Sequence, residues 1–187
     1  VLMDTPYEYI DPKTKVSWKP RNYDKKFRGP VTLRSSLEDS LNVPTAKLID
    51  KIGLEAFLAA VKQAGVETTL PPYRSTALGS GEVTLLELCN AYATIAAGGL
   101  KADPYNVFKV EDSDGKLLRK SQPGIQEVLN EADCYQLTQI LQGAVQHGTC
   151  WRAKALNRPV AAKTGTTDNY TNAWFIGYVP DLVVGVW

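Results

Sequence analysis

Histidine is nearly missing from this sequence: His147 is the single one among 187 residues. A Ser-His-Asp hydrolytic centre would have to be built around it. Yet it stands beside Gly148 at the end of a helical pattern, where a histidine suits the helix dipole. Cysteine is scarce too. Cys89, Cys134 and Cys150 fit no CxxC or zinc spacing, and their odd number argues against a disulfide framework. Cys89 and Cys134 fall within helical patterns and read as small core residues. Neither sign of charge dominates: 21 basic against 20 acidic residues leave a net charge of +1, which gives nucleic acid no basic footprint. No apolar run is long enough to cross a bilayer, and no signal-peptide pattern opens the chain. Neither a metal-ligand cluster nor a phosphate-cradling glycine loop appears, so no metal and no cofactor is expected. What remains is 44% hydrophobic and 22% charged, the mix of one ordinary globular domain with a single core. The chain opens on Val1, and its last residues, 182–187, read as a strand that stops without a turn; both ends are expected to be cuts.

The first thirty residues show neither a helical nor an alternating period and read as an extended connection. From Thr32 the pattern is helical. Leu33, Leu37 and Leu41 share one face, Asn42-Val43-Pro44 interrupts it, and Pro44 is suited to be the first residue of a second helix running to Gly53. Leu54, Phe57, Leu58 and Val61 mark a third helix closed by Gly65. Thr84 and Glu87 form a capping box for a fourth, which carries Leu85, Leu88, Tyr92 and Ile95 and ends at Gly98-Gly99. A hairpin follows, with residues 107–110, the turn Asp114-Gly115, and Leu117-Leu118. Asn130 caps a long helix reaching Gly148. Three strand-like runs close the chain, at 160–166, 174–179 and 182–187, with Pro180-Asp181 turning the last pair. Helices first and strands last imply an α+β fold with an antiparallel sheet packed against helices.

Two short motifs carry chemistry. Lys163-Thr164-Gly165-Thr166-Thr167 lies on a strand. A strand edge offers backbone donors and acceptors to an extended peptide, glycine leaves the approach open, lysine can hold a carboxylate or a proton, and hydroxyls add donors for an anion. Ser40-Leu41-Asn42 falls where one helix gives way to the next, and alone it reads as a pair of helix-capping residues. Together the two motifs match two parts of the S-x-x-K, S-D-N-type and K-T-G set of serine-acylating penicillin-binding proteins and β-lactamases, in the same chain order.

The rest of the chain strengthens the match. Trp18-Lys19-Pro20-Arg21-Asn22-Tyr23-Asp24, Gly29-Pro30-Val31-Thr32-Leu33-Arg34, Ala77-Leu78-Gly79-Ser80, Ala91-Tyr92-Ala93-Thr94, Gly148-Thr149 and Ala173-Trp174-Phe175-Ile176-Gly177-Tyr178 all resemble the transpeptidase domain of bifunctional, class A penicillin-binding proteins. The resemblance implies an incomplete penicillin-binding-protein/β-lactamase-like fold, with residues 1–187 lacking the upstream Ser-x-x-Lys helix and the last C-terminal strand and helix. It implies a peptidoglycan DD-transpeptidase of the bacterial cell envelope, at the outer (periplasmic) face of the cytoplasmic membrane. The parent protein would carry a membrane anchor and a glycosyltransferase domain. Its partners would be stem peptides ending in D-Ala-D-Ala, and β-lactams.

Carried over, Ser40 would relay a proton to the leaving amine, Asn42 would bind the donor's peptide amide, and Lys163 would polarise the proton network. Thr164 and Thr166 would hold the terminal carboxylate, with Gly165 and Thr167 completing the substrate-binding strand. The nucleophile and its base would lie before Val1. Ser113-Asp114-Gly115-Lys116 has the right spacing but sits on a turn, and Ser17-Trp18-Lys19-Pro20 misses by one residue. Ala162 stands where the family usually has glycine. Trp174, Phe175 and Tyr178 read as sheet-packing residues. A carboxypeptidase or β-lactamase of the same fold, or a wall-peptide-binding pseudoenzyme, are the alternatives.

Overall fold

The computed structural model describes residues 1–12, 14–167 and 171–187. Two short antiparallel pairs open the chain: β1 (Leu2–Asp4) with β4 (Gly29–Val31), and β2 (Tyr9–Ile10) with β3 (Ser17–Trp18). The first thirty residues are therefore not a plain extended connection. Strands of two or three residues are too short to show a period; β1 is held by the buried Leu2 and by Asp4, which is wholly buried and bonded to the side chain of Asn22.

Five helices follow the pattern of apolar residues and caps. Helix α1 (Leu33–Glu38) starts at Thr32 in a reciprocal capping box with Ser35, and α2 spans Asn42–Ile52. Two expectations fail between them. Leu41 lies beyond α1 rather than on its face, and Pro44 is the third residue of α2 rather than the first. Helix α3 (Leu54–Ala64) ends at Gly65, whose φ of 120° suits glycine alone. Helix α4 (Leu85–Ala96) begins in the Thr84–Glu87 capping box, and α5 (Glu131–Gln146) begins at Asn130, whose Oδ1 accepts from two backbone N–H groups. Between α4 and α5 lie β5 (Leu100–Ala102), β6 (Lys109–Glu111), β7 (Leu117–Lys120) and β8 (Ile125–Glu127). The hairpin β6–β7 stands where expected; the pairing of β5 with β8 has no counterpart in the pattern.

The last three strands, β9 (Ala161–Thr166), β10 (Ala173–Val179) and β11 (Leu182–Val186), form an antiparallel sheet in the order β11-β10-β9. Among the described residues β9 therefore pairs on one side only. Helices cover one face of the sheet throughout and the other only near β9 and Val179, since Leu182, Val184 and Val186 of β11 stay exposed on that second face. Ala161 and Tyr178 pack with Leu141 of α5 and against Tyr92 and Ile95 of α4; Val160, Ala162 and Val179 pack with Ala144, Val145 and Cys150. Helix α5 contributes to both clusters, and Thr138 Oγ1 and Tyr178 OH are 2.8 Å apart across that contact. Cys134 and Cys150 are buried and Cys89 half-buried, which agrees with core packing for Cys89 and Cys134. The small Ala162 faces Gly177 across the strands, and a Cβ on Gly177 would come 2.9 Å from the Phe175 ring. Glycine's absence at 162 is thus matched by glycine in the opposite strand.

Candidate active site

The link between α1 and α2 is shaped by a helix end. After Glu38 the chain makes a Schellman closure: Ser40 N–H donates to Leu37 O at 3.2 Å and Leu41 N–H to Ser36 O at 2.8 Å. The residue in the left-handed position is Ser40, at φ 54°, where helix ends ordinarily place glycine. A side chain held there costs about 1–2 kcal/mol. Ser40 does not cap α2 either, since Leu41 occupies that position and no side chain of its own caps the helix. Its Oγ instead accepts from Lys163 Nζ at 2.8 Å, across 123 residues of sequence.

Lys163 lies on the open strand β9 and also donates to Thr164 O at 2.7 Å. Burial pushes its pKa below the ordinary lysine value, against a smaller opposing pull from Cys150. Side chains on a strand alternate in direction, so Thr164 points away from Lys163. Its hydroxyl donates to Thr149 Oγ1 at 3.0 Å, in the turn after α5. Thr149 N–H in turn donates to Glu38 O at 3.2 Å, and Glu38 lies two residues before Ser40. Ser40, Lys163, Thr164, Thr149 and Glu38 thus close a ring that clasps the edge of β9 from both faces.

Glycines make the ring possible. A Cβ on Gly143 would stand 1.8 Å from Glu38 Oε1, and one on Gly148 would stand 2.0 Å from Glu38 O. Helix α1 therefore approaches α5 closely, with Glu38 also paired to Arg34 at 3.2 Å. Gly165 is different: a Cβ there would meet only Trp174 Cβ, at an ordinary 3.6 Å. Packing does not demand glycine at 165, and the strand edge beside it is left uncovered.

The other site residues lie around this ring. Asn42 is the first residue of α2, and its Nδ2 donates to Arg21 O at 2.9 Å rather than to the Ser40–Lys163 pair. Thr166 is exposed at the end of β9. Thr167 turns away, its Oγ1 taking the Asn172 N–H at 3.1 Å, and Asn172 Oδ1 receives Trp187 Nε1 at 2.9 Å. Ser113 sits in the β6–β7 turn, whose N–H groups bond to Asp112, and His147 is the exposed residue ending α5. Phe175 and Tyr178 pack against the sheet; Trp174 tilts against Trp187 at 6.5 Å between ring centres. Thr149 and Glu38 are the two members that the sequence did not assign to the site. The Gly148-Thr149 pair after a long helix was the available signal, but its contact with Glu38, 111 residues earlier, has none.

Known proteins bear directly on this arrangement. Residues 2–186 match the family described as penicillin binding protein transpeptidase domain. Penicillin-binding protein 1A of Aquifex aeolicus is 42% identical over 179 residues, covering 96% of this chain and 24% of that protein. The chain spans about a quarter of the length of the curated relatives it matches. Among solved structures, penicillin-binding protein 1A of Haemophilus influenzae superposes with a TM-score of 0.89 at 24% identity, over 95% of this chain and 32% of that one. PonA1 of Mycobacterium tuberculosis in complex with penicillin V gives 0.82 at 25% identity, over 98% and 52%.

Proposed function

Because the chain belongs to the penicillin-binding protein transpeptidase family, we propose that it is part of a peptidoglycan DD-transpeptidase of the bacterial cell envelope. The parent protein would be membrane-anchored and carry a glycosyltransferase domain; no helix among the described residues is long and apolar enough to cross a membrane. The acylating serine belongs to a Ser-x-x-Lys segment outside these 187 residues. A donor stem peptide ending in D-Ala-D-Ala lies along the uncovered edge of β9. Thr164 and Thr166, which share the side of β9 opposite Lys163, take its terminal carboxylate at the strand edge, and Lys163 supplies positive charge from across that edge. The upstream serine Oγ bonds to the penultimate carbonyl carbon while its proton leaves to the base. The oxygen that becomes anionic is met by the Thr166 N–H; one such donor is worth about 10²–10³ in rate.

When the C–N bond breaks, the departing amine takes a proton from Ser40, which Lys163 replaces through the 2.8 Å contact. The lowered pKa of Lys163 makes that transfer less costly. Asn42 Oδ1 has no protein partner among the described residues and accepts the donor's amide N–H. An acceptor amine on the neighbouring stem then takes the acyl group, and a β-lactam enters by the same attack and stays.

The observation that carries this reading is the Lys163–Ser40 hydrogen bond at an open strand edge. Intact-mass spectrometry with a fluorescent penicillin tests it. The 187-residue chain is expected to stay unlabelled, and the protein lengthened upstream to include Ser-x-x-Lys to gain one adduct on that serine. Stoichiometric labelling of Ser40 or Ser113 in the shorter chain overturns the assignment.

A further inference from the structure

Helix α2 begins without a cap of its own. The first N–H groups of a helix lack intrahelical partners, and the side chain just before the helix normally takes one. Here that residue is Leu41, buried at 3% exposure. The flanking residues of capping type do not cap it: Ser40 Oγ accepts from Lys163, and Asn42 bonds through its Nδ2 to Arg21 O. The missing partner comes from twenty-one residues earlier: Val43 N–H, second in α2, donates to Asn22 Oδ1 at 3.2 Å.

Asn22 is itself held in one orientation. It is 3% exposed, and its Nδ2 donates to both carboxylate oxygens of the fully buried Asp4 at 2.9 Å each and to Lys26 O at 2.8 Å. Turning the carboxamide over would set its oxygen against three acceptors and its NH₂ against the Val43 N–H, so one rotamer is dictated. Consecutive residues 21 and 22 therefore grip consecutive residues 42 and 43.

We infer that Asn22, oriented by Asp4, is a positioning residue for Asn42. It caps α2 from outside, which lets Leu41 be buried, frees Ser40 to meet Lys163 and fixes where the Asn42 carboxamide stands. Its catalytic consequence rests on the transpeptidase reading; the geometry does not.

Two arms separate these. In the isotope-labelled 187-residue protein, a through-hydrogen-bond coupling is expected from Val43 N to Asn22 Cγ. Its absence while couplings within α5 are visible overturns the inference, with no variant needed. Asn22→Ala should speed exchange of the Val43 amide about tenfold or more and move the Asn42 side-chain NH₂ signals, leaving α5 amides unchanged. Unmoved Asn42 signals also overturn it. In the protein lengthened to include Ser-x-x-Lys, Asn22→Ala should slow penicillin acylation about tenfold, as misplacement of a binding group does. Asn22→Ala/Asn42→Ala should be no slower than Asn42→Ala alone, because one residue acts through the other. Fully multiplicative losses overturn the positioning role. If the lengthened protein takes no penicillin, the transpeptidase reading fails, and the coupling and exchange measurements still decide the role of Asn22.

Discussion

Glu38 and Gly148 meet backbone to backbone: the carbonyl oxygen of Glu38 fills the place where a side chain on Gly148 would begin, 2.0 Å from that Cβ. Carbonyl and helix end cannot move apart without shifting Thr149, whose N–H bonds to the same oxygen at 3.2 Å. Gly148→Ala is therefore expected to cost about 1–3 kcal/mol, the usual price of overpacking. Gly165→Ala should stay within about 0.5 kcal/mol of wild type, since nothing crowds that Cβ. Urea unfolding of the two variants checks the order. In the lengthened protein Gly165→Ala should nonetheless lose penicillin acylation.

Ser40 holds a left-handed conformation that glycine adopts freely. Ser40→Ala and Ser40→Gly both remove the hydroxyl that Lys163 donates to, so their difference isolates the backbone. Ser40→Gly is expected to be the more stable by about 1 kcal/mol. Equal unfolding midpoints for the pair would falsify the strain assigned to Ser40. Neither variant should support normal acylation.

Burial lowers the pKa of Lys163, so on folding its charged form is disfavoured. Below the folded pKa both states carry the proton and the penalty is present in full. As pH rises through the folded pKa toward the ordinary lysine value, the folded state releases its proton first and stability increases. Lys163→Gln should flatten this alkaline gain, seen as the difference between wild-type and variant unfolding free energies across that window. An unchanged slope would place Lys163 in water.

Lys163→Ala in the lengthened protein should slow acylation about ten- to a hundredfold, since a charge-assisted bond in a partly buried place is worth about 1.5–3 kcal/mol. His147→Ala should leave the rate near wild type, because His147 is exposed at the end of α5. Second-order rate constants for both, with circular dichroism to check folding, test the assignment. The reverse order would indicate a histidine-dependent hydrolase.

The parts of the fold readable in the sequence were those that announce themselves locally. Thr84 with Glu87, Asn130 before a long apolar period, and three β-rich runs near the end gave α4, α5 and β9–β11. What escaped depends on contacts between distant segments. Pairs such as β1–β4 and β5–β8 are three residues long, too short to alternate visibly. Ser40 and Asn42 looked like caps because both are capping residues by type; their partners, Lys163 and Arg21, lie outside any local window. Thr149 and Asn22 stand in recognisable local motifs, but what each does has no short-range signal, since each acts through a bond to another element.

The one-sided pairing of β9 has a colloidal consequence. An edge that can receive one extended peptide can receive another copy of itself, and sheets that leave such an edge open tend to grow strand upon strand. Here the edge is short, carries the cationic Lys163 in its middle, is interrupted by Gly165 and has the Ser40 turn beside it. The residues that fit the edge to chemistry thereby also keep molecules apart. Replacing Lys163 and Gly165 together by valine should lower the concentration at which the protein stays clear in solution, even where its secondary structure is unchanged.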